Sequence, residues 1–274
     1  MESYTLADLL RIMQRLRDPE SGCPWDIEQD FQSILPSTLE ECYELAEAIE
    51  QGDFDHVEDE LGDVLFQVVF HAQMGSEQDL FDFNSVVNRL ATKLIRRHPH
   101  VFAEGQIEGV VSGRTSIAAV KQSWEDIKQR ERNAREQQGV LADIPRALPA
   151  LPRSQKLQKR AARVGFDWSS AEPVFDKLRE ECTELEQALA DGDAGGAREE
   201  LGDILFTCVN LARHLGVDAE EALRGSSSRF EARFRAMEVA AAAGGRTIDA
   251  LDDGEMDALW EQAKQAIAAD AGDL

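Results

Sequence analysis

Two groups of carboxylates occur at helical spacing in this chain, and the second group repeats the first. Each group consists of a Glu-x-x-Glu pair followed, further along the chain, by a Glu-x-x-Asp pair. Carboxylates that converge on one small volume repel one another unless a cation lies among them. Their hard oxygen atoms suit Mg²⁺, with Mn²⁺ as a substitute, better than Zn²⁺ or copper. We therefore predict a metal site in each half, with ligands Glu41, Glu44, Glu60 and Asp63 in the first and Glu181, Glu184, Glu200 and Asp203 in the second.

The elements that must position these acids are two consecutive helices in each half. Residues three apart on a helix share one face, so each pair projects its carboxylates in one direction. Gly52-Asp53 and Gly192-Asp193 separate the two acidic segments, and each Gly-Asp predicts a helix end followed by an N-cap. The two helices of each half then form an antiparallel hairpin, on which the two pairs of carboxylates can converge.

A second set of residues repeats with a smaller offset, 136 instead of 140, and carries positive charge and an aromatic ring. In each half two cations stand one helical turn apart, and a Trp follows with a Lys four residues later. Paired cations can hold phosphates, and an indole ring beside a cation can stack on a base. With the metal sites, they predict the binding of a nucleoside triphosphate. The nucleotide-binding candidates are Lys93, Arg97, Trp124 and Lys128 in the first half and Arg229, Arg233, Trp260 and Lys264 in the second.

Helical periodicity runs through nearly every segment outside the linkers, whereas strand-type alternation is nearly absent. The predicted fold class is all-α, with two tandem repeated helical domains. Between the repeats, residues 132–152 contain a polar run and three prolines, which is typical of a linker. We place the domains at residues 1–140 and 141–274. Helices are predicted at 5–17, 37–50, 53–74, 82–98, 115–135, 152–164, 171–190, 194–215, 218–243 and 253–268.

The formal net charge of -24 at pH 7 excludes some classes of partner. A phosphate backbone attracts Lys and Arg, so this chain is not expected to bind nucleic acid non-specifically. No apolar run approaches the length of a membrane span, and the charged residues near the start do not fit a signal peptide. The four cysteines form no C-x-x-C pair, which favours free thiols. We expect a cytoplasmic protein with no membrane partner.

Longer stretches around these residues resemble a known family, the MazG-like nucleoside triphosphate pyrophosphohydrolases, in their two-domain form. The resemblance covers nearly the whole chain. In the first half it rests on IMQRLRDPESGCPWD, TLEECYELAEAI, ELGDVLFQVVFHAQM and KLIRRHPHVF. In the second half it rests on SQKLQKRAARVGFDW, EECTELEQAL, EELGDILFTCVNLARHLG and RFEARFR.

The resemblance implies a four-helix-bundle core in each domain, a homodimer, and Mg²⁺-dependent hydrolysis of a nucleoside triphosphate to the monophosphate and diphosphate. The eight carboxylates named above become the metal ligands. The resemblance also implies that cations contact the phosphates and that an indole ring contacts the base: Arg229, Arg233, Lys264 and Trp260. Lys177, just before the second acidic pair, is a further candidate for the triphosphate. The first half has Ser37 at that position, so we favour the second half as the stronger catalytic site.

The predicted mechanism is attack of a water molecule on the α-phosphorus, with metal ions bridging the phosphates and lowering the pKa of that water. A spare carboxylate orients or deprotonates the water, and the sequence does not choose between Glu180 and Glu181. The catalytic candidates are therefore Glu180, Glu181 and Glu184. One alternative is a regulatory module that binds nucleotides without turnover at one or both sites. Another is a di-iron or di-manganese oxidase bundle, which needs Glu-x-x-His pairs that neither acidic motif has. The sequence leaves base and sugar preference open.

Overall fold

The structure is a computed structural model that describes residues 3–109, 115–134 and 139–272. Side chains at positions 121, 125, 128, 129, 132–134 and 268–272 fall outside that description. The described residues form helices and no strand, which confirms the all-α prediction. None of the helices among these residues is long and apolar enough to cross a membrane.

The chain divides into two compact units, Met1–Arg130 and Glu131–Leu274. The exact domain boundary predicted at residue 140 stays a prediction. The helices predicted from periodicity are present, with ends that differ from the predicted ones by no more than four residues. A short helix at Pro24–Glu28 was not predicted, because five residues are too few to show a helical period.

In unit 1 the acidic hairpin lies at the centre, and other helices pack on the second helix of this hairpin. The third helix packs against the fourth, which the first and fifth also contact. The sixth helix extends beyond Arg130, the last residue of unit 1. The bounds are α1 Leu6–Leu16, α2 Pro24–Glu28, α3 Leu35–Gln51, α4 Phe54–Glu77, α5 Phe83–Arg97 and α6 Ile117–Ala134, with a 3₁₀ turn at Ala103–Gly105.

Unit 2 repeats the hairpin. Its second and third helices pack against each other, the first packs on the third, and the fourth contacts the first, the third and the fifth. The bounds are α7 Ala150–Ala162, α8 Glu172–Asp191, α9 Ala194–His214, α10 Ala219–Ala243 and α11 Asp253–Gly272, with a 3₁₀ turn at Ile248–Ala250.

The Gly-Asp pairs make the two hairpin turns as predicted. Gly52 ends α3 with φ 71°, and Gly192 ends α8 with φ 69°, a left-handed conformation that a residue with a Cβ adopts at a cost. Asp53 then caps α4 by accepting a hydrogen bond from the His56 amide, and Asp193 caps α9 through the amides of residues 195 and 196. Because each turn is this short, the helices it joins are antiparallel neighbours.

Unit 1 has a closed hydrophobic core around α4. Phe70 is fully buried and belongs to a cluster with Met13, Ile34, Val69 and Met74. The guanidinium group of Arg17 lies 5.2 Å from the Phe70 ring centroid and covers this core. A buried cation of this kind needs an anionic partner.

Glu77 at the end of α4 provides that partner. Its carboxylate accepts hydrogen bonds from Arg17 Nε at 2.9 Å and from Nη2 at 2.7 Å. Burial raises the pKa of Glu77, but the hydrogen bonds from Arg17 and Gln73 outweigh it, and the net pKa lies below the usual value. The ionised form of Glu77 therefore stabilises the folded state.

We expect Glu77→Gln to destabilise unit 1 at neutral pH by about 1 kcal/mol or less, because solvent screens this partly exposed pair. Since the folded pKa is depressed, the stabilisation is complete above the ordinary value of about 4.3 and is lost as the pH falls through the folded pKa. Thermal unfolding of both proteins from pH 7 to pH 3 measures this: the Tm difference should shrink towards zero. Glu58→Gln, at an exposed position of α4, is the control. A difference that does not change with pH would contradict the assignment.

Candidate active site

The acidic hairpin of unit 1 brings three predicted ligands together. Carboxylate oxygens of Glu41 on α3 and of Glu60 and Asp63 on α4 all lie within 4.8 Å of one another. Glu44, the fourth predicted ligand, is outside this group, although its charge contributes to the electrostatics of Glu41. Burial and then the charge of Asp63 raise the pKa of Glu41. The neighbouring acids thus disfavour the ionised form of Glu41 in the absence of a cation.

Glu60 is the most buried acid of this group, at 7% exposure. Its Oε1 lies 2.8 Å from the Nε2 of His56, one turn earlier on the same helix. Its Oε2 is buried and has no hydrogen-bond partner among the described residues. A buried carboxylate oxygen without a partner is costly, and a bound cation would satisfy it. The oxygen-only donor set together with this orphaned atom fits Mg²⁺.

Unit 2 also brings three predicted ligands together. Oxygens of Glu181 and Glu184 on α8 and of Glu200 on α9 lie within 4.8 Å of one another. Asp203 is outside this group, but its charge contributes to raising the pKa of Glu200. Glu181 is 5% exposed, so the cluster reaches into the unit.

An ammonium group lies beside this second cluster. The Nζ of Lys177 is 2.7 Å from Glu180 Oε1 and 2.8 Å from Glu181 Oε1. The hydrogen bond from Lys177 holds the pKa of Glu181 below its usual value. In contrast, burial and the neighbouring acids raise the pKa of Glu184 and of Glu200. The cluster therefore holds one firmly ionised carboxylate and two that lose a proton less readily.

A glycine stands beside the acids in the second helix of each hairpin. Apart from the chain neighbours and the backbone of the same helix, no heavy atom of the described residues lies within 4 Å of the position that a Cβ would take at Gly62 or at Gly202. These glycines precede Asp63 and Asp203 directly. Because successive residues are about 100° apart around a helix, each glycine lies on a different face from the two acids and leaves that face bare.

Of the residues predicted to bind nucleotide in unit 2, Arg233 and Trp260 meet where α10 packs on α11. Trp260 packs against Phe230, with ring centroids 5.4 Å apart, and the guanidinium carbon of Arg233 lies 5.7 Å from its ring centroid. Arg229 is exposed one turn before Arg233. Lys264 pairs at 2.8 Å with Glu261 on its own helix. The predicted contact of Trp260 with a base stays a prediction, and its ring already has two neighbours.

The corresponding residues of unit 1 lie on α5 and α6. Lys93 is exposed on α5, and Arg97 is half-buried one turn later. The ring of Trp124 on α6 packs edge-on against His98, with centroids 4.9 Å apart. The side chain of Lys128 lies outside the described residues. The nucleotide-binding roles predicted for these four residues stay predictions.

Sequence reasoning missed two features of these units. His56 was not singled out, although its position four residues before Glu60 places the two on one face of a helix. A cavity in unit 2, lined in part by Gln158 and Asn210, was also missed. A signal for it existed, because the residue at the position of Asn210 in the first repeat is Phe70.

The fold and the site define a class of protein: an all-α chain that carries a carboxylate cluster on a helical hairpin in each of two repeated units. This arrangement is the one that the resemblance to MazG-like pyrophosphohydrolases implied. The model of the MazG nucleotide pyrophosphohydrolase domain matches the chain twice, at residues 29–102 and 170–237. The chain therefore belongs to the MazG family, as the resemblance of its motifs indicated, and is a hydrolase that acts on phosphoric anhydrides.

Several relatives are similar along most of the chain. A nucleoside triphosphate pyrophosphohydrolase of Escherichia coli K12 is 51% identical over 94% of this chain and 96% of its own length. The nucleoside triphosphate pyrophosphohydrolase/pyrophosphatase MazG of Thermotoga maritima is 42% identical over 94% of both chains. The uncharacterised protein YabN of Bacillus subtilis is 40% identical over 93% of this chain, which matches 50% of YabN.

Proposed function

We propose that this enzyme hydrolyses a nucleoside triphosphate to the nucleoside monophosphate and diphosphate, with Mg²⁺ as cofactor and unit 2 as the main site of turnover. The observation that carries the proposal is the cluster of Glu181, Glu184 and Glu200, with the ammonium group of Lys177 beside it. Only unit 2 has a lysine at this position, since the first repeat has Ser37. The names of the E. coli and T. maritima relatives support the reaction class.

The clustered carboxylates, with the nearby Asp203, would hold Mg²⁺ in unit 2; Glu41, Glu60 and Asp63, with Glu44, would hold it in unit 1. When bound, the metal neutralises charge on the phosphates and makes a water molecule a stronger nucleophile. Mn²⁺ prefers similar oxygen ligands and should substitute.

The other side chains define how the reaction proceeds. Water adds to the α-phosphorus, and the bond from that phosphorus to its bridging oxygen breaks, so that diphosphate leaves. Glu180 is exposed and is held by Lys177 beside the cluster, where it can accept the proton of the attacking water. Negative charge builds on the departing diphosphate, and cations stabilise it: Lys177, Arg229, Arg233 and Lys264.

A homodimer is part of the proposal. The hairpins expose leucines at equivalent positions, with Leu61 at 53% and Leu201 at 51%, and Leu65 and Leu205 are also exposed. Exposed apolar surface on paired helices favours association with a second copy.

The test is hydrolysis of the common ribo- and deoxyribonucleoside triphosphates with and without Mg²⁺, with every product resolved by ion-exchange chromatography. We expect monophosphate and diphosphate in equal amounts, no turnover after chelation of the metal, and recovery with Mg²⁺ or Mn²⁺. Release of orthophosphate with nucleoside diphosphate would show attack at the γ-phosphorus and overturn the proposal. Oxygen-18 water should label the monophosphate and not the diphosphate.

For unit 1 a second function is supported, namely nucleotide binding without turnover. Its cluster lacks a counterpart of Lys177, and His56 lies against Glu60 instead. Substitution of Glu184 and of Glu44, each in a separate protein, distinguishes the contributions of the two units.

A further inference from the structure

Glu60 of unit 1 is held by a side chain that has no counterpart in unit 2. The Nε2 of His56 lies 2.8 Å from Glu60 Oε1, one helical turn earlier on α4. The residue at the position of His56 in the second repeat is Gly196, which has no side chain with which to hold Glu200. Glu60 is also buried, whereas Glu200 is half-buried. The contact between His56 and Glu60 is thus specific to the first repeat.

The hairpin turn fixes the position of His56. Asp53 caps α4, and its Oδ1 accepts a hydrogen bond from the His56 amide at 3.2 Å. Residues four apart on a helix lie on one face, so the imidazole of His56 can reach Glu60. The side chain of His56 is 48% exposed and that of Glu60 is 9% exposed, so the imidazole lies on the solvent side of the carboxylate. The cap, the imidazole and the carboxylate therefore form a continuous series of contacts.

This contact leaves one oxygen of Glu60 for another partner. Glu60 Oε2 is buried and has no hydrogen-bond partner among the described residues. The acids that approach Glu60 are Glu41 and Asp63, each with an oxygen within 4.8 Å of an oxygen of Glu60. Ionised carboxylates accept hydrogen bonds and do not donate them, so neither acid can satisfy Oε2 in that form. A divalent cation would satisfy it, with Glu41 and Asp63 supplying further oxygen ligands.

The two units differ in the charge of the group that holds their most buried acid. In unit 2 Lys177 lies 2.8 Å from Glu181 Oε1, and a lysine carries a positive charge at neutral pH. The first repeat has the uncharged Ser37 at the position of Lys177. An imidazole can donate a hydrogen bond to a carboxylate without carrying a charge. A cation that enters unit 2 therefore competes with an ammonium group for Glu181, and unit 1 has no lysine at that position.

We propose that unit 1 binds a divalent cation in the absence of nucleotide, and that His56 is the residue that positions Glu60 for it. The inference rests on the proposed function, which makes a divalent metal the cofactor. Unit 2 binds its metal more weakly until the phosphates of a bound triphosphate compete for Lys177. The first repeat is then a metal site that stays filled between turnovers of the second.

The role assigned to His56 needs a hydrogen-bond donor and not an imidazole as such. Gln73 provides a precedent on the same helix, because its Nε2 donates to Oε1 of Glu77, four residues later, at 2.9 Å. A glutamine at position 56 would have the same spacing from Glu60. Leucine fills space at that position but donates no hydrogen bond. The variants His56→Gln and His56→Leu therefore separate the hydrogen bond from the space that the side chain fills.

The experiment is a titration of the full-length, chelator-treated protein with Mn²⁺ alone. The electron paramagnetic resonance signal of free Mn²⁺ gives the number of bound ions and their affinities. Wild type is compared with His56→Gln and His56→Leu. Glu60→Gln removes the carboxylate in unit 1, and Glu200→Gln is the matched change in unit 2. Thermal unfolding of the metal-free proteins shows whether each variant is folded like the wild type.

We expect the wild type to bind one Mn²⁺ about tenfold more tightly than a second, because Lys177 occupies Glu181 and Glu200 has no counterpart of His56. The tightly bound ion should be lost in Glu60→Gln and kept in Glu200→Gln. His56→Leu should bind it about tenfold or more weakly, the usual effect of removing a group that hydrogen-bonds a metal ligand. His56→Gln should bind it within about threefold of the wild type, since the donor is retained.

Four results would overturn the inference: no tightly bound Mn²⁺ in the wild type, two ions of equal affinity, loss of the tight ion in Glu200→Gln instead of Glu60→Gln, or equal affinities of His56→Leu and His56→Gln. Failure of the proposed hydrolysis would look different, because the titration contains no nucleotide. A protein that hydrolyses no triphosphate would still reveal whether unit 1 holds the ion. An enzyme that hydrolyses triphosphates without a tightly bound ion would keep the proposed function and contradict only this inference.

Discussion

Replacing Glu184 by Gln is expected to lower kcat/KM for triphosphate hydrolysis by about 100-fold or more, because it removes a carboxylate from the cluster that we propose to hold Mg²⁺. One of its carboxylate oxygens lies within 4.8 Å of an oxygen of Glu181 and of an oxygen of Glu200. Glu184 is itself exposed, so the amide is accommodated without repacking. The equivalent change in unit 1, Glu44→Gln, should lower turnover by no more than about twofold, since we assign the main site to unit 2.

The measurement is formation of monophosphate and diphosphate at several Mg²⁺ concentrations, with circular dichroism to show that both variants are folded. The Glu184→Gln protein should need more Mg²⁺ for its residual activity. Loss of hydrolytic activity only in Glu44→Gln would show that unit 1 is the main site of turnover. Partial loss of activity in both variants would show that both units turn over substrate. Full activity in both variants would show that hydrolysis does not need the carboxylate clusters.

Replacing Lys177 by Met is expected to have two effects of opposite sign. The ammonium group competes with a metal ion for Glu181, from which it lies 2.8 Å, so its removal should tighten Mg²⁺ binding several-fold. The triphosphate loses a cationic contact at the same time, so its KM should rise about tenfold or more. A lysine that only formed a surface salt bridge would change neither quantity appreciably.

Isothermal titration with Mg²⁺ and steady-state kinetics at saturating Mg²⁺ separate the two effects. The matched control is Arg179→Met, because Arg179 lies on the same helix and pairs with Asp176, away from the cluster. That variant should leave Mg²⁺ affinity and KM within about twofold of the wild type. Weaker Mg²⁺ binding in Lys177→Met would mean that the lysine supports the cluster and does not compete with the metal.

Much of the fold was predictable from the sequence, because it depends on local patterns. The Gly-Asp turns and the helical period determine the two hairpins, and the structure has both. The short helix α2 was not predictable in this way. Its five residues are organised by their surroundings, including Arg17, which hydrogen-bonds to the carbonyl of Asp26.

The residue types of the candidate site were predictable from the sequence, but the set of carboxylates that come together in each unit was not. Helical spacing places Glu44 beside Glu41, yet Asp63 completes the group in unit 1, while Glu184 and not Asp203 does so in unit 2. Spacing gives the face of a helix, whereas side-chain rotamers decide which oxygens meet.

The burial of Gln158 illustrates a second limit of sequence reasoning. A glutamine on an amphipathic helix is usually exposed. Its environment here is formed by Phe206, which is distant in the sequence. The periodicity of one helix does not reveal a contact with a residue so distant in the sequence. The presence of Asn210 where the first repeat has Phe70 does indicate that this part of unit 2 is packed differently.

The open glycines beside the acids have a consequence for how this protein can evolve. Glycine inside a helix is less stable than alanine by about 1 kcal/mol, and no atom of the described residues excludes a methyl group at Gly62 or Gly202. A mutation to alanine would thus be favoured by folding alone, and yet both copies have kept glycine since the gene duplicated. The two repeats have therefore both retained a small loss of stability that the fold of the hairpin does not require.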